Sequence, residues 1–139
     1  TLALLKPDIY ADPITVADVH AQLPAAGLEL VRSRRVHWTP RDAGRFYAEH
    51  KGKFFYDRLT SYMTSGPFLA MILHTTDQHD GGDAITRWRE MIGPTHPVKA
   101  QVVAPTSLRG QFGLTDTRNS FHGSDSIETA VRELDFFFP

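Results

Sequence analysis

Residues 118–126, RNSFHGSDS, set one imidazole, His122, behind an aromatic residue and ahead of a glycine and three small oxygen-bearing side chains. A helix predicted to begin just after it would turn backbone N–H groups toward that point, a setting that favours anions such as phosphate. On the wheel of that helix Glu133 falls at the border of the apolar stripe, within reach of the residue ahead of the helix. A carboxylate there would orient the ring. It would fix which nitrogen holds the proton and leave the other free to act as base or nucleophile. The alternative is a satisfied, partly buried histidine at a helix start. Three cations stand at punctuation points: Lys6 at a strand end, Arg89 near the end of a helix, and Arg109 in a long polar segment. Converging, they would form an anion site; apart, they are solvated surface charges. Thr95 and Asn119 suit a phosphate oxygen and a sugar hydroxyl, or simply turns. Tyr47 and Phe55 are core aromatics or a platform for a base.

The elements that must position these groups follow from periodicity. TLALLKPD reads as a short, fully buried strand ended by Pro7. Ile14, Val16, Val19 and Leu23 recur at helical spacing until Pro24 and Gly27 stop the helix, and LELVRSRRVHW follows as a strand. Thr39 caps a helix with Pro40 at its first position, and FFYDRLTSYMTSG is a second short helix. Pro67 to Thr76 is a buried strand; Ile85, Trp88, Met91 and Ile92 then mark the inner face of a helix closed by Gly93. From Pro94 to Phe112 no period is visible, which predicts a long functional loop. NSFH is a short strand. The last helix is predicted to open with a capping box, Asp125 with Glu128, and to bury Ile127, Ala130, Val131, Leu134 and Phe138. The order βαββαβ, with an inserted helical hairpin and a C-terminal helix, is that of a ferredoxin-like α+β sandwich.

Composition sets the outer bounds. A chain of 139 residues, 41% apolar, predicts a single domain over 1–139. A net charge of −1 gives no basic excess for holding a nucleic acid, and no apolar run is long enough for a membrane span, so a soluble protein is expected. There is no cysteine for a disulfide or thiolate site. The seven histidines, at 20, 37, 50, 74, 79, 96 and 122, show no HExxH-like spacing, which argues against a protein-caged zinc. Neither GxxxxGK nor GxGxxG is present, so any nucleotide site uses another device. The chain opens at Thr1 within an apolar run, and any targeting peptide would lie outside it.

NSFHGSDSI, 119–127, resembles the signature N-x-x-H-G-S-D-S of nucleoside diphosphate kinases, and the resemblance runs along the whole chain. TLALLKPD looks like that family's first strand, FYAEHKGKFFYDRL its helical hairpin, SGPFLAMIL its third strand, and MIGPTHP with SLRGQFG the two ends of its long trimer-type loop. FYAEHKGKFFYDRLTSYMTSGP, GLTDTRN and the closing FFFP look most like the divergent sixth animal-type branch, often associated with mitochondria. The resemblance implies ping-pong transfer of a γ-phosphate from a nucleoside triphosphate to a nucleoside diphosphate through phosphohistidine at His122. Glu133 would hold the other ring nitrogen, and Ser124 would bond Glu133. It makes Lys6, Tyr47, Arg89, Thr95 and Arg109 phosphate contacts, Asn119 with Lys6 ribose contacts, and Phe55, bordered by Leu59, the stacking face for the base. Mg2+ would arrive with the nucleotide, Asp125 acting on it through water. It further implies a dimer-based homo-oligomer, up to a hexamer, and a mitochondrial location, with the cytoplasm as alternative. A weakly active nucleotide-binding or scaffold member acting through a protein partner is the competing reading. The chain departs from the family pattern at Asp116, where an apolar residue usually faces the base, in a longer loop between Thr95 and Arg109, in the insertion HTTDQHDGGDAIT, and at Pro24.

Overall fold

The computed structural model describes residues 1–76, 82–115 and 118–139. In chain order the elements are β1 (Leu2–Leu5), α1 (Pro7–Tyr10), α2 (Pro13–Gln22), β2 (Leu28–Val36), α3 (Pro40–Phe46), α4 (Tyr56–Met63), β3 (Phe68–Thr75), α5 (Ala84–Ile92), α6 (Pro97–Val103), α7 (Leu108–Phe112), β4 (Phe121–Gly123) and α8 (Ile127–Phe137). The strands form one antiparallel sheet in the order β2-β3-β1-β4. With helices packed on it, this is the ferredoxin-like α+β arrangement expected from the order of elements. Among the described residues no helix is long and apolar enough to cross a membrane.

β1 is buried along its whole length because both sides of the sheet are covered. Ala3 and Leu5 join a core with Val19 of α2, Leu23 just past its end, and Trp88 and Ile92 of α5. Leu2 and Leu4 join a second core with Ala43 of α3, Met63 of α4 and Phe137 of α8. Each fully buried aliphatic side chain contributes about 1.5–3 kcal/mol, so β1, one of the two inner strands, is firmly anchored and can carry a site. β2 is the opposite case, an edge strand whose alternation does not bury it. Leu30 and Val31 are exposed beside a bulge between Leu30 and Arg32.

Three expectations change. Residues 94–112 are not one loop but contain α6 and α7, seven and five residues long. Such short helices show too little of a 3.6 period to be read, and Pro97, which looks like a breaker, occupies the first helical turn of α6. α8 is capped by Ser126, whose hydroxyl accepts from Thr129 N at 3.1 Å, and not by an Asp125–Glu128 box. Ser126 has the extended backbone that a cap needs, one residue later than expected. The buried face of α8 is accordingly Ala130, Glu133 and Phe137, while Ile127 and Val131 stand 68% and 64% exposed. The stop expected at Pro24 holds: Pro24 lies beyond α2 and opens a single 3-10 turn to Ala26.

Candidate active site

β4 is only three residues long, and its register decides everything about the site. His122 pairs with Leu4 and so shares its side of the sheet, toward α8, whereas Phe121 and Gly123 face the first core. The strand is pressed onto α5: a Cβ at Gly123 would stand 2.6 Å from Trp88 Cδ1, and Trp88 Nε1 donates to His122 O at 2.8 Å. The imidazole is one quarter exposed, and its Nε2 lies 2.7 Å from Oε2 and 3.1 Å from Oε1 of Glu133, which is 3% exposed. An ionised carboxylate only accepts, so Nε2 carries the proton. Among the described residues Nδ1 has no hydrogen-bond partner, and its lone pair is free. The ring of Phe46 meets the imidazole edge-on at 6.0 Å.

His122 lines a cleft of about 660 Å³. Lys6, Tyr47, Arg89, Thr95, Arg109, Asn119, His122, Asp125 and Glu133 all line it, so the structure brings together nine of the residues singled out from sequence. Lys6 is buried at the end of β1, and its Nζ donates to Asn119 Oδ1 at 2.8 Å. Arg109 is 6% exposed; its fork donates to Gly93 O and to Phe121 O, each at 2.9 Å, tying α7 to the end of α5 and to β4. Gly93 can offer that carbonyl because its φ of 81° turns the chain where a Cβ would strike Ser107. Burial, and after it the charge of Arg89, pull the Arg109 guanidinium down to about 10, so it is still charged at neutral pH. Arg89 is exposed on the rim and reaches Gly123 O only at 3.5 Å. Burial, with a smaller push from Glu133, raises the Tyr47 phenol, which stays a neutral donor. The hydroxyl of Thr129, then Arg89, holds the Asp125 carboxyl below its usual range.

The remaining expected residues are placed otherwise. Ser124 is fully buried and among the described residues its Oγ finds no partner, so the implied bond to Glu133 is not made. Phe55 and Leu59 do not line the cleft. Phe55 borders it through His50, ring to ring at 5.3 Å, and Leu59 packs on the second core. Asp116 lies outside the described residues. Sequence reasoning missed His50, which lines the cleft and stacks on Tyr47 at 6.0 Å, and Trp88, read only as core. It also missed the rim pair Arg132–Glu49, Nη1 to Oε1 at 3.1 Å, and the contacts of Asp8 described below. Only Trp88 carried a signal, its place directly before Arg89.

Lys6, Arg89 and Arg109 lining one cleft with His122 suit a phosphate-bearing ligand. The family model for nucleoside diphosphate kinase matches residues 1–139. Among curated relatives, "Nucleoside diphosphate kinase 6" of Xenopus tropicalis is 49% identical over all of this chain and 74% of its own length, and that of Homo sapiens 50% over all of this chain and 72% of its own. "Nucleoside diphosphate kinase" of Desulfovibrio desulfuricans is 38% identical over 99% of this chain and 92% of its own. Among solved structures, the nucleoside diphosphate kinase of Aquifex aeolicus superposes with a TM-score of 0.87 at 36% identity, over 99% of this chain and 93% of that one. That of Halobacterium salinarum, in complex with CDP, gives 0.83 at 32%, over 99% and 85%. Fold, cleft and likeness along its whole length agree, and the chain belongs to the nucleoside diphosphate kinase family, resembling its sixth animal-type branch.

Proposed function

We propose that the chain moves the terminal phosphoryl group of a nucleoside triphosphate to a nucleoside diphosphate by way of a phosphohistidine at His122. One observation carries this reading: Nε2 is committed to Glu133, so the lone pair of Nδ1 is left free in a cleft shared with Lys6, Arg89 and Arg109. In the first half-reaction Nδ1 attacks the γ-phosphorus, the P–O bond to the leaving diphosphate breaks, and positive charge spreads over the ring. Glu133 stabilises that charge through Nε2–H. The diphosphate leaves, and an acceptor enters the same cleft. Its terminal oxygen attacks the phosphohistidine, the P–N bond breaks, and the electron pair returns to Nδ1. Lys6, Arg89 and Arg109 neutralise phosphate charge, and Lys6 with Asn119 takes the ribose hydroxyls.

Among the described residues no group of three or more His, Asp or Glu could hold a metal ion. One rim carboxylate, Asp125, fits a Mg2+ that enters on the nucleotide's phosphates and meets the protein through water. When bound, that ion supplies charge neutralisation between phosphates. Incubating the chain with labelled ATP and magnesium, without acceptor, should leave an acid-labile, base-stable phosphate that His122→Ala abolishes together with transfer to a diphosphate in a coupled assay. Acid-stable label, or transfer above background in that variant, would refute the assignment.

A further inference from the structure

Among the described residues Ser120 is the one non-glycine with positive φ, 75°. It is fully buried, directly after Asn119 and directly before β4, which carries His122. A left-handed backbone is unfavourable for a residue with a Cβ and persists only where its surroundings over-determine it. Two contacts do so. The Ser120 carbonyl accepts from Lys6 N at 2.9 Å, and the Ser120 hydroxyl donates to Oδ2 of Asp8. The other oxygen of Asp8, Oδ1, accepts from the hydroxyl of Tyr62 on α4. One carboxylate therefore joins the exit of β1, two residues beyond Lys6, to the helical hairpin and to the entry of β4. Asp8 does not line the cleft, and both its oxygens are taken by hydroxyls.

We infer that Asp8 is a positioning residue for phosphoryl transfer, holding Ser120 in its left-handed conformation so that Asn119 and His122, on either side of the bend, meet the cleft in fixed register. This rests on the transfer reading above. The bend ends the pairing of β4 with β1, whose last pair is Phe121 with Leu5. Without it, the short strand loses the stop that keeps His122 on the side of Glu133.

Glycine takes up a positive φ without help, which gives the inference its test. Asp8→Ala should lower kcat in the coupled assay by about tenfold or more, as expected when a reacting group is displaced. Ser120→Gly alone should stay within about threefold of the parent, and in that background Asp8→Ala should cost less than about threefold, because the bend no longer needs holding. Each protein is assayed at a temperature where circular dichroism shows it folded; Asp8→Asn, whose amide can accept from only one of the two hydroxyls, serves if Asp8→Ala does not fold. Equal losses in the serine and glycine backgrounds would make Asp8 a mere structural anchor and overturn the inference. If the parent shows no transfer, the reading of function falls by itself, and the same four proteins are compared by urea unfolding. There Asp8→Ala must destabilise the serine background more than the glycine one, and equal costs overturn the inference.

Discussion

Replacing Arg89 by methionine is expected to stabilise the ligand-free chain while weakening its hold on nucleotides. The fall of the Arg109 guanidinium from its ordinary value to about 10 disfavours its charged form by roughly 3 kcal/mol. Burial is the larger cause and Arg89 the smaller, so Arg89 accounts for less than half. It is also exposed, and solvent screening leaves about 0.5–1 kcal/mol of repulsion that the variant would relieve. Little is lost in return. The contact of Arg89 Nη1 with Gly123 O, at 3.5 Å, is at the limit of a hydrogen bond, and the attraction to Asp125 runs across open surface. Methionine keeps the apolar stem and the helix propensity. For a chain of this length the gain amounts to about 2–3 °C in Tm, shrinking as ionic strength rises. Thermal melts without ligand at low and high salt measure it. With ADP at a hundred times its Kd the parent gains about 2.7 kcal/mol, and the variant at that concentration less, which reverses the order of the melts. A variant that melts lower than the parent without ligand would show that Arg89 is held by attraction, and the account of converging cations would be wrong.

Glu133→Gln should keep the fold but slow both half-reactions roughly 10- to 1,000-fold, because an amide can orient the ring yet cannot stabilise its positive charge; unchanged rapid-quench rates would make Glu133 a bystander. Gly123→Ala puts a methyl 2.6 Å from Trp88 Cδ1 and should lower stability by about 1–3 kcal/mol, read from the urea midpoint. Burial raises the Asp8 carboxyl above its usual range, so the folded chain binds its proton more tightly than the unfolded one. Its contribution to stability is present at pH below the ordinary carboxylate value and is lost as pH rises through the folded one. Stability of the parent minus that of Asp8→Asn should therefore fall with pH across this window, and a rise would refute the assignment.

What the sequence disclosed and what it hid divide along physical lines. The buried strand at the start, the stop at Gly93 and the βαββαβ order are written in apolar runs and breakers that report local structure, and they hold. The motif from Asn119 to Ile127 and the separate cations carried the chemistry, but only tertiary structure could bring Lys6, Arg89 and Arg109 to one cleft. Failures cluster where a residue's hydrophobicity misstates its place. Glu133 is counted polar, so a stripe drawn through Ile127 and Val131 rotates the true buried face, in which the carboxylate sits between Ala130 and Phe137. Arg109, read alone, is a solvated surface charge, yet it is buried at the cleft with both branches of its fork held by backbone carbonyls. Asp8 looks like an acid in the first turn of a short helix, and nothing local points to Ser120 more than a hundred residues away.

The same residues explain why so short a strand can hold the His122 imidazole in a fixed place. Three ladder pairs alone would specify register weakly, and a slip of one residue in β4 would turn His122 into the first core and bring Phe121 or Gly123 against Glu133. Four contacts oppose that slip. Ser120 ends the strand by its left-handed turn, Gly123 fits only where Trp88 leaves no room for a Cβ, Trp88 Nε1 holds the carbonyl of His122, and Arg109 holds that of Phe121. Three of them act on backbone atoms, so His122 gains its position without giving up Nδ1, the nitrogen that the proposed transfer uses. Among the described residues the one hydrogen-bond partner of the ring itself is Glu133, and that bond sets the tautomer.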